Sequence, residues 1–244
     1  SETGAYAQAA PLLRRALDEN PRDPSRWHHA AAAYLNAGQP TTAATVAEEG
    51  QLLFPGRPAL LHTLATATLR LGDPHAALSH YQRAIDKGTN VSDSTRAALY
   101  TGLGRTHGRL GHTQQATDAF ETALRLDANH PAALSHYAVH LADQDGQLDR
   151  ALTLAQQAVE RRPDAPTPLA SLGWVYFQRD APDQARTHLQ QAVDTGRAPA
   201  WVYVRFGDLH RALGNDARAQ QSWQEALDRA PQRESRQTQL DTLP

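Results

Sequence analysis

One spacing of residue types returns along this chain about every 34 residues, and it constrains the fold more than any other feature. The last copy is the clearest. Counted from Ala200, Phe206-Gly207 fall at positions 7–8, His210 at 11, Gly214 at 15, Ala219 at 20, Trp223 at 24, Ala226-Leu227 at 27–28 and Pro231 at 32. Six full copies stand on this ruler, at residues 24–57, 58–91, 97–130, 131–165, 166–199 and 200–233. Residues 4–23 supply the second half of a further unit whose first helix is missing. A unit of this length cannot bury its apolar face alone, so stacked units must share one core. The pattern predicts an all-α fold, a right-handed α-solenoid of antiparallel helix pairs, with about thirteen helices and no sheet.

Each residue type has a mechanical reason at its position. Small residues such as Gly104, Gly173, Gly207, Ala43, Ala77 and Ala219 let two helix backbones approach closely. Large ones, among them Trp27, Tyr34, Tyr81, Phe120, Tyr176 and Trp223, fill the spaces between neighbouring units. Gly38, Gly72, Gly111 and Gly214 suit the left-handed conformation that ends a first helix. Pro21, Pro55, Pro163 and Pro231 stop second helices. The ruler is broken twice. Residues 92–96 are an extra segment, where Asp93 or Ser94 is the expected cap of the next helix. An inserted residue near Gly146 lengthens the turn over residues 143–147. Residues 234–244 are a polar, off-pattern tail.

Composition excludes more than it assigns. The chain of 244 residues carries a net charge of -2, which argues against general nucleic-acid binding. No apolar run is long enough to span a membrane, and no signal peptide is present. Cysteine is absent, which removes disulfides, thiolate metal sites and a cysteine nucleophile. Methionine is absent too, and the chain opens in mid-repeat, so a segment of a longer protein is expected. His136 and His140 stand four apart on one helix face, a spacing that can chelate zinc, but no third ligand is evident and no metal is expected. No phosphate loop or Gly-x-Ser-x-Gly elbow occurs, and the acids at Glu48-Glu49, Asp143 and Asp145 read as solvated surface and turn residues. Neither a catalytic residue nor a cofactor is expected.

On these motifs the chain resembles the tetratricopeptide repeat (TPR) family over nearly its whole length. The resemblance implies a single superhelical array over residues 1–233 that binds a partner protein or peptide without catalysis. In that family the second, fifth, ninth, twelfth and thirteenth positions of each first helix line a concave groove. Carried onto this sequence, those positions include Arg70, Arg105 and Arg109, which would make the middle of the groove basic, and Trp174, Phe177 and Trp201, which would make its C-terminal part aromatic. Such a surface suits an extended or helical peptide with acidic and apolar residues. The lysine and asparagine set of chaperone-tail clamps is lacking.

The segments Leu172-Gly173-Trp174-Val175-Tyr176 and Phe206-Gly207-Asp208-Leu209-His210, with residues 141–152, resemble a narrower group of bacterial TPR proteins that includes outer-membrane lipoprotein adaptors. That likeness implies a bacterial scaffold or adaptor of the envelope. Two alternatives remain: a partner-binding module of a longer enzyme, and a self-assembly module. The missing first helix leaves Tyr6, Leu13 and Leu17 without their usual cover, so weak self-association at that end is expected.

Overall fold

A computed structural model describes residues 2–144 and 147–229. Among them there are thirteen α-helices and no strand. They fall into two compact units, divided between Val91 and Ser92, where the repeat spacing is interrupted. The first unit holds α1 (Glu2–Glu19), α2 (Pro24–Asn36), α3 (Pro40–Leu53), α4 (Pro58–Arg70) and α5 (Pro74–Lys87). The second holds α6 (Asp93–Arg109), α7 (Thr113–Leu126), α8 (Pro131–Ala142), α9 (Leu148–Arg161), α10 (Pro166–Gln178), α11 (Pro182–Asp194), α12 (Ala200–Ala212) and α13 (Asp216–Arg229).

The helix ends follow from local chemistry. Seven helices begin on proline, at Pro24, Pro40, Pro58, Pro74, Pro131, Pro166 and Pro182. A first-turn proline has no N–H to leave unpaired, and its fixed φ is already helical. Five first helices, α2, α4, α6, α10 and α12, end in one shared closure. Gly38 at φ 78°, Gly72 at 83°, Gly111 at 74° and Gly214 at 74° take the left-handed conformation their spacing predicts. The next N–H then reaches back five residues: Gln39 to the Tyr34 carbonyl at 2.9 Å, Asp73 to Thr68 at 3.0 Å, His112 to His107 at 3.0 Å and Asn215 to His210 at 2.9 Å. The turn after α10 does the same without glycine: Asp180 sits at φ 56°, and the Ala181 N–H reaches Tyr176 at 3.0 Å. Asp93 does not cap α6. The Ser92 hydroxyl accepts the Thr95 N–H at 3.2 Å, and Asp93 is the first helical residue, where its charge suits the helix dipole. Pro21, Pro55 and Pro163 each stand two residues beyond a helix end, while Pro231, Asp145, Gly146 and the tail lie outside the described residues.

Inside each pair, small residues meet large ones. A Cβ on Gly104 would lie 2.9 Å from the Phe120 ring, one on Gly173 2.8 Å from Leu189 Cγ, and one on Gly207 on the Trp223 indole. Trp27, Tyr81 and Phe120 are buried, whereas Tyr34, Tyr176 and Trp223 are half-buried. In the first unit one core joins Leu17, Trp27, Ala30, Val46, Leu60 and Leu64. This corrects the expected bare end: Leu17 is 2% exposed, because α2 packs on it, and Leu13 is half-buried against the same core. Tyr6 remains 41% exposed. In the second unit Phe120 stacks on Tyr137, whose hydroxyl donates to Glu121 at 3.0 Å while Arg150 donates to the same carboxylate oxygen at 3.0 Å. Burial, then the bond to Glu121, pushes the Tyr137 hydroxyl up to about 12.

Candidate peptide pocket

The first helices of the second unit place side chains on one common face. On α6, Arg105, Gly108 and Arg109 follow at intervals of three and one, so they share a helix face. On α8, His136, Val139 and His140 lie at intervals of three and one, and the residue that caps the helix, Asp143, extends the same stripe. On α12, Trp201 and Arg205 are four apart. Together with Phe120 beneath them, these residues line a concave pocket of about 360 Å³.

Among the described residues, the charged lining of the pocket is three arginines, Arg105, Arg109 and Arg205, and one carboxylate, Asp143. Asp143 is committed to the wall: one oxygen accepts the Trp174 indole N–H at 2.8 Å and the other accepts from Arg205 at 2.8 Å. The Arg205 guanidinium also lies 3.8 Å from the centre of the Trp174 ring, a cation–π contact. His136 is held well below the ordinary histidine value, first by burial and then by the positive charge of Arg105 and Arg109. His140 is lowered too, mainly by burial, and its Nε2 lies 3.2 Å from the Thr117 hydroxyl. Both imidazoles thus favour the neutral form more than a free histidine does.

The six residues expected in the groove separate on this geometry. Arg105, Arg109 and Trp201 come together in the pocket, with Trp201 half-buried and its ring 6.5 Å from that of His136. Trp174 is 5% exposed. It packs between repeats, against Phe177 at 5.0 Å and under Arg205, so its face is not open to a partner. Phe177 is half-buried in the same packing. Arg70 belongs to the first unit, where it donates to the Leu35 carbonyl at 2.7 Å, at the C-terminal end of α2. Arg205 is the residue that position rules passed over. Its four-residue spacing from Trp201 was the available signal. Asp143 is an exposed turn acid, as its sequence setting suggests, and it also bridges Trp174 and Arg205. His136 and His140 share a face as their spacing requires, and among the described residues no group of three His, Asp or Glu side chains could hold a metal ion.

Antiparallel helix pairs that repeat in register, with first helices lining a concave pocket, define a helical-repeat scaffold of the α-solenoid class. Three family models, each described as a tetratricopeptide repeat, match residues 56–129, residues 101–166, and residues 2–67 with 142–202. The chain belongs to the tetratricopeptide repeat family. No curated protein matches it. Among solved structures it is similar to a chain of the APC/C hetero-tetramer Cut9–Hcn1, at 18% identity and a TM-score of 0.70, over 94% of this chain and 44% of that one. This chain therefore spans less than half the length of that relative. It is also similar to a tetratricopeptide repeat protein from Parabacteroides merdae, at 14% identity and a TM-score of 0.64, over 98% and 91% of the two chains. A thermophilic TPR protein from Thermus thermophilus matches at 20% identity with a TM-score of 0.60, over 75% and 96%. At such identities the likeness speaks of the fold. The family is one of protein-interaction scaffolds, typically non-enzymatic.

Proposed function

We propose that the second unit is a peptide-binding module, which takes a partner segment carrying acidic and apolar residues into the pocket of α6, α8 and α12. The observation that carries this reading is the lining itself: among the described residues, three arginines and one engaged carboxylate, with the half-buried Trp201 ring on the wall. Arginine grips a carboxylate through two parallel bonds, and a partly desolvated indole is a strong anchor for apolar groups. Charge attraction speeds encounter and weakens as salt rises. Arg70, Trp174 and Phe177 are given no part in this pocket.

The test is a selection from a phage-displayed random peptide library. Wild-type protein should enrich peptides rich in Asp and Glu, with binding that falls as salt rises. Arg105→Glu/Arg109→Glu should abolish that enrichment while its circular dichroism stays native. Trp201→Ala should weaken the selected peptides by ~2 kcal/mol. Equal recovery of the same peptides by the double variant, or no enrichment by wild type, would overturn the reading.

A further inference from the structure

Gly50, Gly104, Gly173 and Gly207 each lie inside a helix where a neighbouring side chain leaves no room for a Cβ without adjustment. Gly108 differs from all four. It lies in the last turn of α6, its backbone is not left-handed, and the nearest atom to a Cβ built there is His140 Nδ1 at 3.8 Å, an ordinary contact. Neither backbone angle nor packing requires glycine at this position. A helix interior is more stable with alanine, because glycine gives up more backbone freedom on folding. The same position in the other full copies holds Leu35, Leu69, Ala142, Phe177 and Arg211. What distinguishes Gly108 is its surroundings: it stands between Arg105 and Arg109 on the pocket wall, and a side chain there would project into the space toward His140.

We propose that Gly108 is a specificity-determining residue of the pocket, whose missing side chain leaves room for one bulky apolar residue of an acidic peptide. The inference rests on the peptide-binding reading above and names the occupant more closely. Phe120, Val139 and Trp201 supply apolar lining for that residue, and Arg105 and Arg109 flank the gap where its acidic neighbour sits. A pocket of about 360 Å³ falls within the range that holds a compact ligand group, and filling its α6 side removes depth without touching the charges.

The experiment runs the same random peptide library against wild type, Gly108→Ala, Gly108→Leu and Arg105→Glu/Arg109→Glu in parallel, with a thermal melt of each. Wild type should enrich a bulky apolar residue, Trp, Phe or Leu, beside the acidic ones. Gly108→Leu should keep the acidic enrichment and lose the bulky residue. Gly108→Ala should melt higher than wild type, as helix propensity requires, yet bind the wild-type peptides at least about tenfold more weakly. The same bulky preference in the wild-type and Gly108→Leu pools, or unchanged affinity for Gly108→Ala, would overturn the role of Gly108 and leave the peptide-binding reading standing. If Arg105→Glu/Arg109→Glu selects the wild-type pool, the reading itself falls, and the inference with it. Should Gly108→Leu fail to melt cooperatively, Gly108→Ala decides the matter alone.

Discussion

A glycine can be demanded by its backbone angle or by its neighbours, and the two demands predict different responses to substitution. At Gly207 the demand comes from a neighbour: an added Cβ would fall on the Trp223 indole, which is itself held by a bond to Asp208 at 3.3 Å and covered by Arg211. Gly207→Leu must therefore push α12 and α13 apart. The expected loss is about 1–3 kcal/mol or more, read from the shift in denaturant midpoint. An unchanged midpoint would mean that these two helices do not meet at this residue. Trp174 makes the complementary point. Its ring is large and apolar, as a binding residue would be, but the Asp143 carboxylate and the Arg205 guanidinium already occupy its polar edge and its face.

At the scale of the element, the turn between paired helices is where local chemistry decides most. Five turns close by the same two backbone bonds, and four of them use glycine to reach positive φ. Asp180 reaches it with a side chain attached, which aspartate tolerates better than most residues but at a cost. Asp180→Gly should remove that strain and stabilise the protein by about 0.5–1 kcal/mol, less what glycine's flexibility gives to the unfolded chain. Thermal melts would check it, and a lower melting temperature would show that the Asp180 side chain contributes more than its strain costs. The closure after α6 has a second consequence. It brings the third-last and first-following side chains of the turn together, positions that often hold an apolar contact. Here they are His107 and His112, with their Nδ1 atoms 3.2 Å apart. Burial and the neighbouring His112 both lower His107 from the ordinary value.

Across the whole molecule the same sign recurs. Eight of the twelve histidines, His28, His80, His107, His130, His136, His140, His188 and His210, are lowered from 6.5, with burial the largest cause in each. Below 6.5 the unfolded chain therefore binds protons that the folded chain does not, and stability falls as pH falls. Glu121, lowered by its bonds to Arg150 and Tyr137, adds to the loss once pH drops through the carboxylate range. The melting temperature should accordingly be lower at about pH 5.5 than at about pH 7.5, before most carboxylates titrate. Equal melting temperatures at the two values would contradict the burial of these imidazoles.

The sequence alone determined what depends on neighbours along the chain. Glycine-closed turns follow from residues a few positions apart, the close approaches at Gly104, Gly173 and Gly207 follow from side chains 16 positions on, and six repetitions of the spacing multiply the signal. The interruption over residues 92–96 reads as a local change of pitch or loop length within one array; that two compact units divide there comes from the tertiary structure. The family resemblance implied a place for Arg105, Arg109 and Trp201 on first-helix groove faces; periodicity by itself says only which residues of a helix share a face. What only the tertiary structure decided is which of those faces meet and what they leave open. Asp143 reads as a turn acid until α10 and α12 bring Trp174 and Arg205 to it, residues 31 and 62 positions away. Trp174 reads as groove-lining until that same contact buries it, and only the tertiary structure shows that nothing but His140 Nδ1, at 3.8 Å, stands near a Cβ at Gly108. Contacts and gaps of this kind are made between elements distant in sequence, so no local pattern records them.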